Sequence, residues 1–149
     1  MRWIDIPPVW LAAALAAVWA IGRADPWALS FGPVLSGLIG AFGIGAGLIL
    51  MALAVWEMRK WRTTVIPHRE ADHLVTSGIF KRTRNPIYLG DALILLGVIF
   101  RLDVPLALPL LPAFVWLIER RFVLPEEDRL RRKFRTGWGR YEQATRRWF

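Results

Sequence analysis

The feature that most constrains this chain is a run of 26 residues without a charge, residues 31–56. A helix rises about 1.5 Å per residue, so a run of this length exceeds the ~30 Å hydrocarbon core of a bilayer. Within the run, Gly43 and Gly47 have the GxxxG spacing that lets a second helix approach closely. The sequence therefore predicts a membrane-spanning helix with a tightly packed neighbour.

Three further apolar segments cover residues 6–22, 86–100 and 104–118. Pro7 and Pro86 predict where two of them begin, because the first helical turn tolerates proline. Only residues 101–103 separate the last two segments, which predicts a short carboxyl-terminal hairpin. The expected fold class is an all-α integral membrane protein with about four transmembrane helices. A single domain, residues 1–149, would hold two N-terminal spans in residues 1–57 and a core in residues 58–149.

The first segment has an alternative interpretation as a cleaved signal peptide. Arg2 precedes it, and small residues lie near Ala20, as in such leaders. No small-x-small cleavage site ends the segment, and a long apolar span follows it. These two observations favour a retained helix.

Charges are distributed unevenly along the chain. Of the 20 Lys and Arg residues, only Arg23 and Arg101 fall in the loops after the first and third segments. The remainder lie at the N-terminus, between Arg59 and Arg84, or after residue 118. Because cationic loops stay on the cytoplasmic side, the sequence predicts a multi-pass protein of the cell inner membrane with both termini in the cytoplasm. The same rule accounts for the net charge of +8, so nucleic acid is not an expected partner.

The tail of the chain shows helical periodicity. Leu130, Phe134, Trp138 and Tyr141 recur at spacings that place them on one helical face, with Arg and Lys on the other. The sequence therefore predicts a cytoplasmic amphipathic tail helix. Its apolar face either lies on an anionic membrane surface or packs on the core of the protein.

Two motifs flank the predicted hairpin, the stretch LVTSGIFKRTRNPIYLG and a later pair of glutamates with aromatics. Together they resemble the isoprenylcysteine carboxyl methyltransferase and phospholipid methyltransferase superfamily of integral membrane enzymes. The resemblance covers about residues 58–148. It implies S-adenosylmethionine as methyl donor at the cytoplasmic face and an acceptor, a membrane lipid or lipidated small substrate, that enters from the bilayer. The matching positions are Leu74, Val75, Thr76, Gly78, Phe80, Arg84, Asn85, Pro86, Tyr88, Gly90, Glu126, Glu127, Leu130, Phe134 and Tyr141.

Several positions depart from the family pattern. Asn85 stands where the eukaryotic enzymes have histidine, Arg135 replaces a glycine, and Trp138 replaces a tyrosine. The family histidine two residues before Leu74 would fall at residue 72, whereas His73 is one residue late. These differences bear on the acceptor more than on the cofactor.

The resemblance implies a set of cofactor contacts that residue chemistry supports. Glu126, helped by Glu127, would hold the ammonium of the cofactor, and Arg84 would hold its carboxylate through a bidentate fork. Alternatively, both acids only favour a helix start. Tyr88 and Phe80 offer ring faces to a cation or pack in the core. The expected cofactor-binding residues are His73, Leu74, Val75, Gly78, Phe80, Asn85, Pro86, Tyr88, Gly90, Glu126 and Glu127.

Arg84, Asp91 and Arg121 are the candidates for catalysis. Asp91 lies one turn into the third segment, where an acid faces the protein interior, and it contacts a substrate amine or pairs with an arginine. Arg121, or its neighbour Arg120, steadies an anionic acceptor or anchors the helix at the headgroups. A carboxylate acceptor needs no base, whereas an ammonium must first lose a proton to Asp91, Glu127, His68 or His73. No residue stands out as a base, which favours a carboxylate.

Two other classes of protein remain open from the sequence. A non-enzymatic membrane scaffold would bind no cofactor, and a lipid reductase of related architecture would bind NADPH, although the chain is short for that. The chain has no cysteine, and its two histidines lack a set of partner ligands, so no metal site is expected.

Overall fold

The computed structural model describes residues 6–62 and 73–149, and every regular element in these two ranges is helical. A 3-10 turn at Gly78–Lys81 precedes α3, a second at Pro105–Ala107 precedes α4, and a π-helical segment, Glu119–Val123, joins α4 to α5. The all-helical prediction is confirmed for the described residues. The helices are α1 (Pro7–Ala24), α2 (Pro33–Lys60), α3 (Pro86–Arg101), α4 (Leu110–Ile118) and α5 (Leu124–Ala144).

Prolines begin the first three helices. The absent N–H of proline costs nothing in a first turn, and the predicted starts at Pro7 and Pro86 are confirmed. By length and composition, α1 and α2 could each cross a membrane. The surface of α2 is also apolar, since it exposes large side chains that include Leu38, Phe42, Ile49 and Trp56.

Glycines bring α2 and α3 into close contact. A Cβ atom on Gly47 would lie 2.6 Å from the carbonyl oxygen of Gly90, and one on Gly43 would lie 2.9 Å from the Cα of Gly97. Both distances are shorter than any ordinary carbon contact. The predicted close packing at the GxxxG spacing is therefore confirmed, and the partner helix is α3.

The prediction that the fourth apolar segment is helical from Val104 onward is wrong. The helix begins at Leu110, after a separate turn at Pro105–Ala107, and Pro109 is its N-cap residue. Proline in a helix interior removes a hydrogen bond and clashes with the preceding turn. A start at Leu110 places Pro112 in the first turn, where it is tolerated.

From α4 the chain continues into the tail without a break in the backbone. Ile118 and Leu124, at either end of the π-helical segment, both have right-handed helical angles. The interruption comes later, at Arg135, whose φ of 40° and ψ of −107° are not helical. The prediction of one continuous tail helix is therefore wrong at this residue.

The apolar face of the tail is nevertheless covered by the protein itself. Its side chains pack against the end of α2 and the loop that leads into α3, so this face is not free to lie on a membrane. The cluster consists of Ala54, Val75, Phe80, Trp138 and Tyr141, with Leu74, Leu130 and Phe134 among the side chains packed against it. A second cluster joins α1, α3 and α4 and includes Val18, Leu95, Ile99, Phe114 and Ile118.

The loops that follow α1 and α3 contact each other. Asp103 accepts a hydrogen bond from the Ser30 hydroxyl and another from the Phe31 N–H at 2.7 Å. These hydrogen bonds hold the pKa of Asp103 below its ordinary value. The predicted topology, which stays a prediction, also places these two loops on one side of the membrane.

Candidate functional site

The loop before α3 is shaped by a glycine and a carboxylate. Gly78 has a φ of 58°, in the left-handed region that favours glycine, and a Cβ there would lie 2.5 Å from Glu57 Oε2. Glu57, near the end of α2, accepts hydrogen bonds from the Ser77 hydroxyl and from the Trp61 indole N–H. Gly78 thus allows a close approach to Glu57, which the sequence pattern did not single out.

At the start of α3 the two family motifs meet. Asn85 is the N-cap residue, and its Nδ2 donates to the carbonyl oxygen of Arg147 at 3.2 Å. Pro86 follows as the first helical residue. Within the first turn, the Tyr88 hydroxyl donates to Glu126 Oε2 at 2.9 Å. This hydrogen bond joins the first motif to the second.

Arg84 lies in a buried cluster of charges. Its side chain is only 8% exposed, and its nitrogens lie 3.4 Å from Glu127 Oε1 and 3.3 Å from Glu142 Oε1. Its guanidinium carbon is 5.6 Å from the centroid of the Trp138 ring. Among the residues that the structure describes, Arg84 Nε and Nη1 find no hydrogen-bond acceptor.

Glu127 is bonded by the tail of the chain. This residue is 3% exposed, and its two carboxylate oxygens accept hydrogen bonds of 2.9 and 3.2 Å from Arg147. Arg147 also donates to Glu119 at 2.8 Å, and the Trp148 indole donates to the same carboxylate at 3.2 Å. The hydrogen bond to Glu127 raises the pKa of the Arg147 guanidinium, although burial alone would lower it.

Glu142, the other acid beside Arg84, also has closer donors. Arg131 donates to it at 2.9 Å and the Trp138 indole at 3.1 Å. Burial alone would raise the pKa of Glu142, but the hydrogen bond and charge of Arg131 and the charge of Arg84 hold it below its ordinary value. Glu142 therefore remains ionised, and its hydrogen bonds come from Arg131 and Trp138.

Asp91 is buried within α3 at 2% exposure. It makes no hydrogen bond or ion pair with any residue of ranges 6–62 and 73–149. The interpretation of Asp91 as the partner of a nearby arginine is therefore wrong for the described residues. Since Asp91 follows Tyr88 by three positions, both lie on the same face of α3.

Behind Gly90, on the other side of α3, lies α2. A Cβ on Gly90 would lie 2.6 Å from the Met51 Cγ, so this glycine is needed for helix packing.

The apolar residues of the first motif pack in the core beneath the tail. Val75 and Phe80 are buried in the cluster that covers the tail, and Leu74 packs against it. The Tyr141 hydroxyl donates to the Phe80 carbonyl oxygen at 2.8 Å, and burial raises the pKa of this phenol, so it stays protonated. His73 is exposed at the edge of the described range. Contacts of these residues with a cofactor stay a prediction.

The arginines before the second motif lie elsewhere. The guanidinium carbon of Arg121 is 5.3 Å from the centroid of the Trp10 ring at the start of α1. Arg120 is exposed. The contact with Trp10 is what a residue anchoring the start of α1 would make, and the acceptor role of these arginines stays a prediction.

A cleft of about 410 Å³ opens between the loop of the first motif and the tail. Its rim carries positive charge from Lys81 and Arg140, and it adjoins the buried cluster through Tyr141. The candidate base His68 and position 72, where the family has a histidine, lie outside the described residues.

Sequence reasoning missed three charged residues of the cluster that holds Arg84 and Glu127, namely Glu119, Glu142 and Arg147. Twenty positions of sequence separate Arg147 from Glu127, and nothing in the spacing distinguishes Arg147 from Arg146, whose side chain is exposed. Only the return of the tail onto the loop brings these residues together.

Comparison with known proteins identifies one family. The model of a family described as phospholipid methyltransferase matches residues 35–137. This range covers α2 from residue 35, α3, α4, the first motif and the second motif as far as Phe134, and it confirms the resemblance that the motifs indicated. Neither a curated protein nor a solved structure matches the chain.

Proposed function

The chain belongs to the phospholipid methyltransferase family, and from this premise we propose that it transfers a methyl group from S-adenosylmethionine to a lipid or hydrophobic acceptor. The proposal rests on Arg84, a buried guanidinium of the first motif with two nitrogens that lack hydrogen bonds among the described residues. Buried donors of this kind cost free energy unless an acceptor reaches them. A carboxylate fits the fork of an arginine, and the amino-acid end of this cofactor has a carboxylate.

Glu126 is the proposed partner of the cofactor's ammonium. It is half-buried, and its Oε2 is already oriented by the hydrogen bond from Tyr88. Glu127 is a poorer candidate, because Arg147 bonds both of its oxygens. Arg84 and Glu126 would thus hold the two charged groups of one amino-acid end, each group beside a side chain of opposite charge.

S-adenosylmethionine, when bound, supplies a methyl group on a positively charged sulfur. The chain's own residues then have two tasks, which are to orient the acceptor and to remove any proton that blocks its lone pair. Asp91 suits the second task, because a buried carboxylate without a described partner can accept a proton from an ammonium. This feature supports an amine acceptor over the carboxylate that the sequence alone favoured.

The acceptor would reach the site from the bilayer. α1 and α2 are long and apolar enough to span it, and the outward side chains of α2 are apolar. We place the reaction at the cytoplasmic face of the inner membrane, where the cationic loops lie under the positive-inside rule.

Titration calorimetry of the detergent-purified protein tests the cofactor proposal. S-adenosylhomocysteine should bind and NADPH should not. If the protein is a reductase, NADPH should bind and S-adenosylhomocysteine should not, and if it is a scaffold, neither ligand should bind. Glu126→Gln should weaken S-adenosylhomocysteine roughly tenfold or more, since a hydrogen bond to a charged group contributes about 1.5–3 kcal/mol. Asp128→Asn, an exposed acid of the same turn, is the matched control and should bind as the wild type does. Equal affinities in all three proteins would remove Glu126 from the site.

Methyl-transfer assays test the acceptor proposal. We would offer an amine-headgroup phospholipid in nanodiscs and, separately, an S-farnesylated cysteine with a free carboxylate. The amine should be methylated, and Asp91→Asn should lower its turnover at least a hundredfold, at the lower end of general-base effects of about 10²–10⁴, while S-adenosylhomocysteine still binds. Turnover of the carboxylate alone, insensitive to Asp91→Asn, would refute the role of Asp91.

Orientation is tested separately by labelling. The chain has no cysteine, so Ala24→Cys and Thr136→Cys each introduce a single thiol at an exposed position. A membrane-impermeant maleimide should label residue 24 from outside intact cells and residue 136 only after lysis. The opposite pattern would reverse the proposed topology.

A further inference from the structure

The last residues of the chain fold back onto the loop that carries Arg84. The Arg84 N–H donates to the Arg146 carbonyl oxygen at 3.0 Å. The carbonyl oxygen of Arg147 accepts from the Thr83 hydroxyl at 3.0 Å and from Asn85 Nδ2 at 3.2 Å. The tail backbone thus fixes three consecutive residues of the first motif.

The side chain of Arg147 satisfies a buried acid. Its fork covers both oxygens of Glu127, and its remaining nitrogen reaches Glu119 in the π-helical segment. A carboxylate that is 3% exposed needs such a partner, because a buried charge without one is strongly destabilising. Arg147 therefore ties the tail, α5 and the π-helical segment together.

Arg84 is the other cation within reach of Glu127. It approaches Glu127 Oε1 only to 3.4 Å, whereas the shorter of the two bonds from Arg147 is 2.9 Å. Without Arg147, Arg84 would be left to satisfy both oxygens of Glu127, and its fork would turn toward that acid. The nitrogens of Arg84 that now lack an acceptor would then be used within the protein.

From this arrangement we infer that Arg147 is a positioning residue, which bonds Glu127 so that Arg84 Nε and Nη1 stay available for an anionic group of a ligand. The inference rests on the proposed function to the extent that the anionic group is the carboxylate of the cofactor. It adds a residue that acts through Arg84 without touching the cofactor.

The test compares two ligands that differ by one group. S-adenosylhomocysteine has the carboxylate, and its decarboxylated analogue keeps the adenosine, sulfur and ammonium without it. Arg147→Ala should weaken S-adenosylhomocysteine roughly tenfold or more, as expected for loss of a charged hydrogen bond, and leave the analogue unchanged. Arg147→Lys, which keeps the charge and loses the fork, should give an intermediate affinity for S-adenosylhomocysteine. Arg132→Ala, which removes an exposed arginine of α5, is the control and should bind both ligands as the wild type does.

Two outcomes would overturn the inference. Unchanged affinity of the Arg147 variants for S-adenosylhomocysteine would show that Arg84 does not depend on Arg147. An equal loss of both ligands would show a general structural role for the tail. If Arg147→Ala does not fold, the ratio of the two affinities in Arg147→Lys decides between these results. A wild-type protein that binds neither ligand would instead refute the proposed function itself.

Discussion

Replacement of Gly47 by alanine tests the contact that holds α3, and with it Tyr88 and Asp91, against α2. The added Cβ would lie 2.6 Å from the Gly90 carbonyl oxygen and 2.7 Å from Ile94 Cγ1. Ordinary carbon contacts begin near about 3.5 Å, so the helices must separate by roughly 1 Å. The Gly90 oxygen is a backbone atom and cannot move aside by rotating a side chain.

The magnitude follows from a comparison within the same helix. Gly45 lies two residues from Gly47, and a Cβ there would meet nothing within 4 Å. Both substitutions gain the same helix propensity, about 1 kcal/mol, and this gain cancels in the difference between them. Forcing an extra methyl group into a packed interface costs about 1–3 kcal/mol. Gly47→Ala should therefore be less stable than Gly45→Ala by about that amount.

Thermal unfolding in one detergent, followed by tryptophan fluorescence, measures this difference. For a chain of this length, about 1–3 kcal/mol corresponds to a gap in Tm of roughly 2–12 °C. Gly45→Ala should melt at or above the wild-type temperature. If Gly47→Ala melts at the same temperature as Gly45→Ala or higher, the helices are not in contact at Gly47 and the packing described here is wrong.

Three further substitutions have outcomes that the structure predicts. Arg135→Gly should raise the Tm, because a non-glycine residue at φ 40° stores about 1–3 kcal/mol of strain. Tyr141→Phe should destabilise the fold by about 1–3 kcal/mol in chemical unfolding, because the buried carbonyl of Phe80 loses its donor. Asp103→Asn should reduce the pH dependence of stability. Since the pKa of Asp103 is lowered in the folded state, its hydrogen bonds to Ser30 and Phe31 stabilise the wild type above the unfolded pKa of about 3.9 and are lost as the pH falls through the lower folded value. In melting curves recorded from pH 6 to pH 3, the Tm of the asparagine variant should therefore fall less than that of the wild type.

The helices could be predicted from sequence where a single rule decides the outcome. Pro7 and Pro86 cannot lie in a helix interior after a preceding turn, so each marks a start, and Gly43 with Gly47 indicates a close neighbour. The predicted start of the fourth segment is wrong, because it rested on hydrophobicity alone and did not take Pro112 into account. Reading that proline as a first-turn residue would have moved the predicted start to the position that the structure shows.

The sequence contains a signal for the kink at Arg135. The family pattern has a glycine at this position, and glycine is the residue that adopts positive φ without strain. From the sequence alone, we linked this difference to the acceptor. A backbone that adopts positive φ at residue 135 is a simpler reason for the family's glycine. Periodicity could not reveal the kink, because Trp138 and Tyr141 still reach the same cluster as Leu130.

The candidate site was predicted in part, and the missing part has a common physical origin. The motifs indicated Tyr88 and Glu126 as residues of one site, and the structure joins them by a hydrogen bond, because each lies in the first turn of its helix. The partners of Arg84 and Glu127 come instead from the tail, whose return depends on backbone hydrogen bonds to the loop at Arg84. Backbone hydrogen bonds carry no residue signature, so one arginine among the 20 Lys and Arg residues could not be singled out. The same fact explains why Arg147 matters: its role depends on where the tail backbone places it, so the neighbouring Arg146, which is still present in Arg147→Ala, should not restore the wild-type preference for a ligand that has a carboxylate.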